Sequence, residues 1–139
     1  MSREIEEGLV ERLDFDKLGK VAASGQALLP VAVQHADTLE LLVVAYANRQ
    51  TLERTLKDRV AVFWSSSRNE LWIKGATSGD YLDIVDVRVN CEQNSLLYLV
   101  RPRGQGGCHT KGADGNSRMS CYYRSIIGPG ELGWVQGMR

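Results

Sequence analysis

The stretch YLDIVDVRVNCEQNSLLYLVRP, residues 81–102, decides how this chain folds. Two runs rich in Val, Leu, Ile and Tyr flank a polar break at Gln93-Asn94. Such runs around such a break read as the two arms of a long β-hairpin. With the first arm as a strand, Val85, Val87, Val89 and Cys91 share one face, and Asp86, Arg88, Asn90 and Glu92 the other. Cys91 then points with the valines, where a free cysteine is ordinarily a small buried hydrophobe.

The same reasoning extends upstream. VAVFWSSS (60–67) and NELWIKG (69–75) form a second hairpin turning at Arg68-Asn69, and ATSGD (76–80) is the loop between the two hairpins. LLPVAVQH (28–35) and TLELLVVAYA (38–47) are two strands joined near Ala36-Asp37. Asn48 is an N-cap for a helix over RQTLERTLKD (49–58), with Leu52 and Leu56 on its buried side. Ile5, Leu9, Val10 and Leu13 recur at helical spacing and predict an amphipathic first helix. Downstream, CYYRSII (121–127) is a short apolar stretch, and the tail GPGELGWVQGMR is expected to be irregular. The expected fold is a strand-rich α+β domain with short helices, a single unit over residues 1–139.

Bulk properties narrow the function classes. The 139 residues can bury a core without disulfides, and composition is ordinary, with 43% hydrophobic and 24% charged residues. Seventeen basic and seventeen acidic residues cancel, which argues against nucleic-acid or membrane-surface partners. Residues 101–139 are locally basic, with six Lys or Arg against Asp114 and Glu131, which suits a small anionic ligand or a solvated surface. No run is apolar enough to span a membrane, and the acidic opening MSREIEEGLVERLDF lacks a secretory core, so a cytoplasmic location is expected. The three cysteines cannot all pair within one chain, which leaves metal ligation or burial.

Cys108 sits among glycines beside His109, a poor place for an inert thiol, and Cys121 ends the same polar loop. Three cysteines and an adjacent histidine are the ligand types of a thiolate-rich zinc site, and their softness favours zinc over magnesium. The spacing is not that of a zinc finger: sixteen residues separate Cys91 from Cys108, and twelve separate Cys108 from Cys121. A site held by three cysteines leaves a fourth position for water, whose pKa the metal lowers. His109 is then a proton shuttle, a fourth ligand, or a loop histidine with no role. In FWSSSRNELWIKGATSG, residues 63–79, Ser65, Ser66, Ser67, Thr77 and Ser78 gather hydroxyls near Arg68 and Lys74. Gly75 and Gly79 permit close backbone approach. The stretch is a phosphate and sugar subsite or a serine-rich hairpin; it is not a Walker loop.

Taken together these segments resemble the phosphoribosyl-AMP cyclohydrolase family over about Leu41 to Ile126. AYANRQTLERTL is similar to the family's AYMN-x-x-A-L-x-x-T, and FWSSSRNELWIKGATSG to its WSRSR-x-x-LW-x-KGETSG. VNCEQNSLL stands where the family has DCDxDALL, while GGCHT and SCYYR match GxxCHTG and SCFYR. The resemblance implies a homodimer with zinc held by Cys91, Cys108 and Cys121 across the two subunits. It implies hydrolysis of the N1–C6 bond of the adenine ring of 1-(5-phosphoribosyl)-AMP, in histidine biosynthesis, with metal-activated water and His109 as proton shuttle. It implies a phosphorylated nucleotide-like ligand, met by Trp64, Ser65, Ser67, Arg68 and Lys74. Gly75, Thr77, Ser78, Gly79 and Arg124 complete that implied surface.

Four departures stand out. The three aspartates that bind magnesium in the family are Asn90, Glu92 and Asn94 here, which leaves one carboxylate and a degenerate magnesium site. The KGETSG glutamate is Ala76, and the second residue of SRSR is Ser66. The loop between Cys108 and Cys121 is also longer than the family's. None removes a zinc ligand. Two alternatives follow: a divergent hydrolase acting on another N-heterocycle or cyclic amidine, and a non-catalytic, zinc-stabilised binding module.

Overall fold

A computed structural model, which describes residues 3–139, resolves the chain into three short helices and eight strands among those residues. In order these are α1 (Arg3–Glu7), α2 (Lys17–Ala23), β1 (Leu29–His35), β2 (Leu41–Ala47) and α3 (Arg49–Asp58). β3 (Val62–Ser65), β4 (Glu70–Ile73), β5 (Leu82–Val89), β6 (Leu96–Pro102), β7 (Arg124–Gly128) and β8 (Glu131–Trp134) follow. The strand-rich α+β class is as the sequence predicts.

The central sheet has the order β2-β1-β6-β5. The predicted hairpins β1–β2 and β5–β6 are antiparallel, and they join through a parallel pairing of β1 with β6, Val31 opposite Leu96 and Val33 opposite Tyr98. Parallel neighbours need a crossover, and here β2 to β5 intervene. Val31, Val33, Leu42, Phe63, Leu82, Tyr98 and Val100 are fully buried. Burial of each such apolar side chain contributes roughly 1.5–3 kcal/mol. The Phe63 ring lies 5.7 Å from Trp72 and 6.0 Å from Tyr98, which anchors the β3–β4 hairpin to the sheet.

Several local expectations are corrected. The amphipathic first helix stops at Glu7, where the Gly8 N–H donates to the Glu4 carbonyl at 3.0 Å. Leu9 and Val10 leave it to run beside β8: the Leu132 N–H donates to the Leu9 carbonyl at 2.9 Å. The tail is not irregular, because the Pro-Gly turn at 129–130 folds β8 back onto β7. α2 has no counterpart in the sequence reading.

α3 starts at Asn48 as expected, in a capping box with Thr51: the Thr51 N–H donates to Asn48 Oδ1 at 2.9 Å and the Asn48 N–H to Thr51 Oγ1 at 3.0 Å. Its buried residues are Thr51 and Thr55, while Leu52 is half-buried and Leu56 is 47% exposed. The threonines tolerate burial because their hydroxyls are satisfied. Thr55 Oγ1 accepts from the Val62 N–H at 3.0 Å and donates to the Val62 carbonyl at 3.2 Å, clipping β3 to the helix.

In β5 a bulge pairs Ile84 with Val100 but Asp86 with Leu99. Val85 is the extra residue and turns outward, off the face that Val87 shares. The strand ends at Val89, so Cys91 stands exposed in the turn beyond it rather than among buried valines.

Candidate functional site

The two cysteines of the long loop are brought together by backbone pairing. Beyond β6, the Gly107 N–H donates to the Met119 carbonyl at 2.9 Å and the Cys108 N–H to the Arg118 carbonyl at 3.0 Å. A side chain at Gly106 would place its Cβ 2.4 Å from the Arg118 carbonyl oxygen, so only glycine lets the two limbs close. The returning limb docks on β2. The Ser120 hydroxyl donates to the Leu41 carbonyl and the Cys121 N–H to the Leu42 carbonyl, each at 2.7 Å.

Cys108 is buried and Cys121 is half-buried. The Thr110 hydroxyl lies 3.0 Å and the Thr110 N–H 3.5 Å from the Cys108 sulfur. Interaction with the Cys121 side chain and these donors outweighs burial and pulls Cys108 down to about 5. The neighbouring Cys108, together with burial, pushes Cys121 far above the ordinary thiol range. Lys74 is 5% exposed and donates to the Asp80 carbonyl at 3.0 Å. Burial lowers its pKa, opposed by the charges of Asp80, Cys121 and Cys108. The ammonium therefore lies beside the sulfurs rather than on the surface.

Asp80 ties the two site loops together. Its Oδ1 accepts from the Gln105 N–H at 2.9 Å and its Oδ2 from the Ser117 hydroxyl at 2.7 Å. Burial pushes this carboxyl up, but these donors and the Lys74 charge hold it below the usual range. Gly75 turns the chain toward Asp80 with φ +91°; a Cβ there would lie 2.2 Å from the Tyr81 nitrogen.

His109 is exposed beside the pair, and its Nε2 contacts the Glu6 carboxylate of α1. Arg118, 7% exposed, is the centre of a buried cluster. Its guanidinium donates to both Glu7 carboxylate oxygens at 2.8 and 3.0 Å, to Thr110 Oγ1 at 3.0 Å and to the Met138 carbonyl at 2.9 Å. It also lies 4.1 Å from the Tyr123 ring and 5.2 Å from the Trp134 ring. A cavity of about 570 Å³ opens over His109, Thr110, Lys111, Arg118 and Trp134.

The other residues singled out in the sequence are dispersed. Among the described residues of one chain, no group of three His, Cys, Asp or Glu side chains could hold a metal ion, and Cys91 does not join Cys108 and Cys121. Asn90, Glu92 and Asn94 bond to one another: Asn90 Nδ2 donates to Asn94 Oδ1 at 2.6 Å, and Asn94 Nδ2 to Glu92 Oε2 at 3.1 Å. Asn90 Oδ1 also accepts the Asn94 and Ser95 N–H groups, both at 2.9 Å.

On the β3–β4 hairpin, Trp64 Nε1 donates to Asn69 Oδ1 at 3.0 Å, Ser65 and Ser67 hydroxyls meet at 3.3 Å, and exposed Arg68 lies 3.5 Å from Glu70. Ser66 accepts from Lys17 of α2 at 3.0 Å. Thr77, Ser78 and Gly79 are exposed with Ala76 on the adjoining turn. Arg124 donates to the Gly8 and Ile5 carbonyls, each at 2.7 Å, and so clasps the end of α1.

Sequence reasoning overlooked Glu6, Glu7, Asp80, Thr110 and Arg118. Only Thr110 carried a signal, through its place in CHT. The others act through partners distant in sequence, Glu7 and Arg118 being 111 positions apart.

The donor set fits a soft divalent ion in part. The paired limbs bring two cysteine sulfurs, both soft donors, together, while Cys91 of the same chain stands apart from them.

Comparison with known proteins supplies the remaining context. The profile of the phosphoribosyl-AMP cyclohydrolase family matches residues 43–123. A phosphoribosyl-AMP cyclohydrolase of Caulobacter vibrioides is 44% identical over 104 residues, covering 74% of this chain and 70% of the relative. One from Archaeoglobus fulgidus is 42% identical over 116 residues, 84% of this chain and 94% of the relative. A bifunctional histidine-biosynthesis protein of Thermus thermophilus is 40% identical over 121 residues, 86% of this chain and 53% of that longer protein.

Proposed function

The chain belongs to the phosphoribosyl-AMP cyclohydrolase family, hydrolases of a cyclic amidine C–N bond in histidine biosynthesis, and from that premise we propose that it opens the adenine ring of 1-(5-phosphoribosyl)-AMP with zinc at its cysteines. The observation that carries this reading is the backbone pairing that brings buried Cys108 and half-buried Cys121 together, with His109 next to Cys108 in the chain.

Cys108 and Cys121 hold the ion from one subunit. The third thiolate is Cys91 of a second copy, whose exposure at the tip of the β5–β6 hairpin suits it to reach across. When bound, zinc supplies Lewis-acid activation of water near neutral pH. The substrate's N1-alkylated ring is cationic, so C6 is electrophilic. Water's oxygen bonds to C6, the N1–C6 bond breaks, and a proton is delivered to N1. His109 moves that proton, with the Glu6 carboxylate orienting its ring through Nε2. Lys74 places a positive charge beside the sulfurs. The exposed hydroxyls of Ser67, Thr77 and Ser78, with Arg68, are the phosphate-facing surface. Asn90, Glu92 and Asn94 satisfy one another and offer one carboxylate, so turnover proceeds without magnesium at that turn. The working form is a cytoplasmic homodimer.

The shared site has a direct test. Cys91→Ser and Cys108→Ser proteins should each be inactive. Unfolded together and refolded, they should regain part of the activity, because a mixed dimer contains one intact site. Activity that stays absent in the mixture, while refolded wild type recovers, would rule out sharing.

A further inference from the structure

We propose that Glu7, Arg118 and Thr110 form a relay that positions the Cys108 sulfur for its metal, so that helix α1 is a working part of the site. The inference rests on the zinc reading above.

The argument starts from donor and acceptor capacity. A threonine hydroxyl has one hydrogen to donate, and a guanidinium has only hydrogens to give. Arg118 Nη1 lies 3.0 Å from Thr110 Oγ1, so this oxygen is the acceptor there. The hydroxyl's own hydrogen is left for the Cys108 sulfur, 3.0 Å away. The direction of that hydrogen is fixed only while the guanidinium is fixed. Glu7 grips it by both carboxylate oxygens, the Met138 carbonyl takes Nε, and the Tyr123 and Trp134 rings flank it. Hydrogen bonds from groups behind a metal ligand set that ligand's orientation and typically alter metal affinity about 10–100-fold. Glu7 is outside the span matched by the family profile, and so is the helix that carries it.

A purely adhesive role for the ion pair, holding α1 to the β7–β8 hairpin, makes a different prediction, and the full-length protein can separate the two. Zinc affinity would be measured by competition with a chromophoric chelator in wild type, Glu7→Gln, Thr110→Val and Thr110→Ser. The charge-transfer spectrum of each cobalt-substituted protein would be recorded alongside. The relay predicts about tenfold weaker zinc binding and a shifted thiolate band in Glu7→Gln and Thr110→Val. Thr110→Ser, which keeps the hydroxyl, should retain wild-type affinity and spectrum. Wild-type affinity and spectrum in Thr110→Val would overturn the relay while leaving zinc at the cysteines. Wild-type protein that takes up no zinc at its cysteines would overturn the zinc reading and the relay with it.

Discussion

Two polar loops end strands of the same sheet, and they use their side chains in opposite ways. The loop from Cys108 to Cys121 turns inward. Its sulfurs are wholly or half buried, and partners far away in the chain hold the loop in place around them: Lys74, Asp80 and, through Thr110 and Arg118, Glu7. The turn from Asn90 to Ser95 faces outward, and its polar groups bond within five residues. The first arrangement holds soft donors in a poor solvent for charge, as the zinc proposal requires. The second leaves a turn whose amide oxygens and one Glu92 carboxylate oxygen are already occupied. Local satisfaction and long-range organisation thus separate the turn from the candidate site.

The widest gap between the loops should appear in activity. Cys108→Ser or Cys121→Ser removes half of the sulfur pair, and ring-opening should fall to background with loss of bound zinc, measured by turnover and metal analysis. Equivalent retention of zinc and turnover would put the ion elsewhere.

Stability should show the same contrast. Arg118→Ala leaves Glu7 without its partner and empties the space between Tyr123 and Trp134, at a cost of about 3 kcal/mol, a Tm drop of roughly 10 °C. Asn94→Ala in the exposed turn should cost less than about 1 kcal/mol. Equal losses would erase the distinction between the loops.

The turn can also be pushed toward the family pattern. Asn90→Asp with Asn94→Asp restores three carboxylates around Glu92 and breaks the amide bonds that close the turn. Magnesium at tenfold its Kd should then stabilise the variant by about 1.4 kcal/mol, near 4 °C in Tm, with no response in wild type. A wild-type response of the same size would mean that the asparagines still coordinate.

The smallest effect is one of pH. The hydrogen bond from Arg118 holds Glu7 below its ordinary 4.5. A carboxyl depressed in the folded state adds stability above its unfolded pKa and loses it as the pH falls through the folded value. The Tm advantage of wild type over Glu7→Gln should therefore be full near neutrality and shrink below about pH 4.5. An advantage that grows on acidification would contradict the ion pair.

Much of this division was legible in the residues. Alternation and turn chemistry gave β1 to β6, and Asn48 gave the start of α3, because each signal lies within a few residues of its consequence. The cysteine pair was legible because sulfur among glycines is chemically conspicuous. Helical spacing misled at Leu9 and Val10, where strand pairing with β8 won over local periodicity. The bulge at Val85 and the turn position of Cys91 depend on cross-strand register, which one strand's pattern does not contain. Arg118 read as one more surface cation, because the carboxylate and rings that bury it come from the chain's two ends.

The most direct test is hydrolysis of 1-(5-phosphoribosyl)-AMP by the purified, zinc-loaded protein with magnesium removed. Steady turnover, with loss of the intact adenine ring, is the predicted result. No turnover by a folded protein carrying zinc on its cysteines would contradict it.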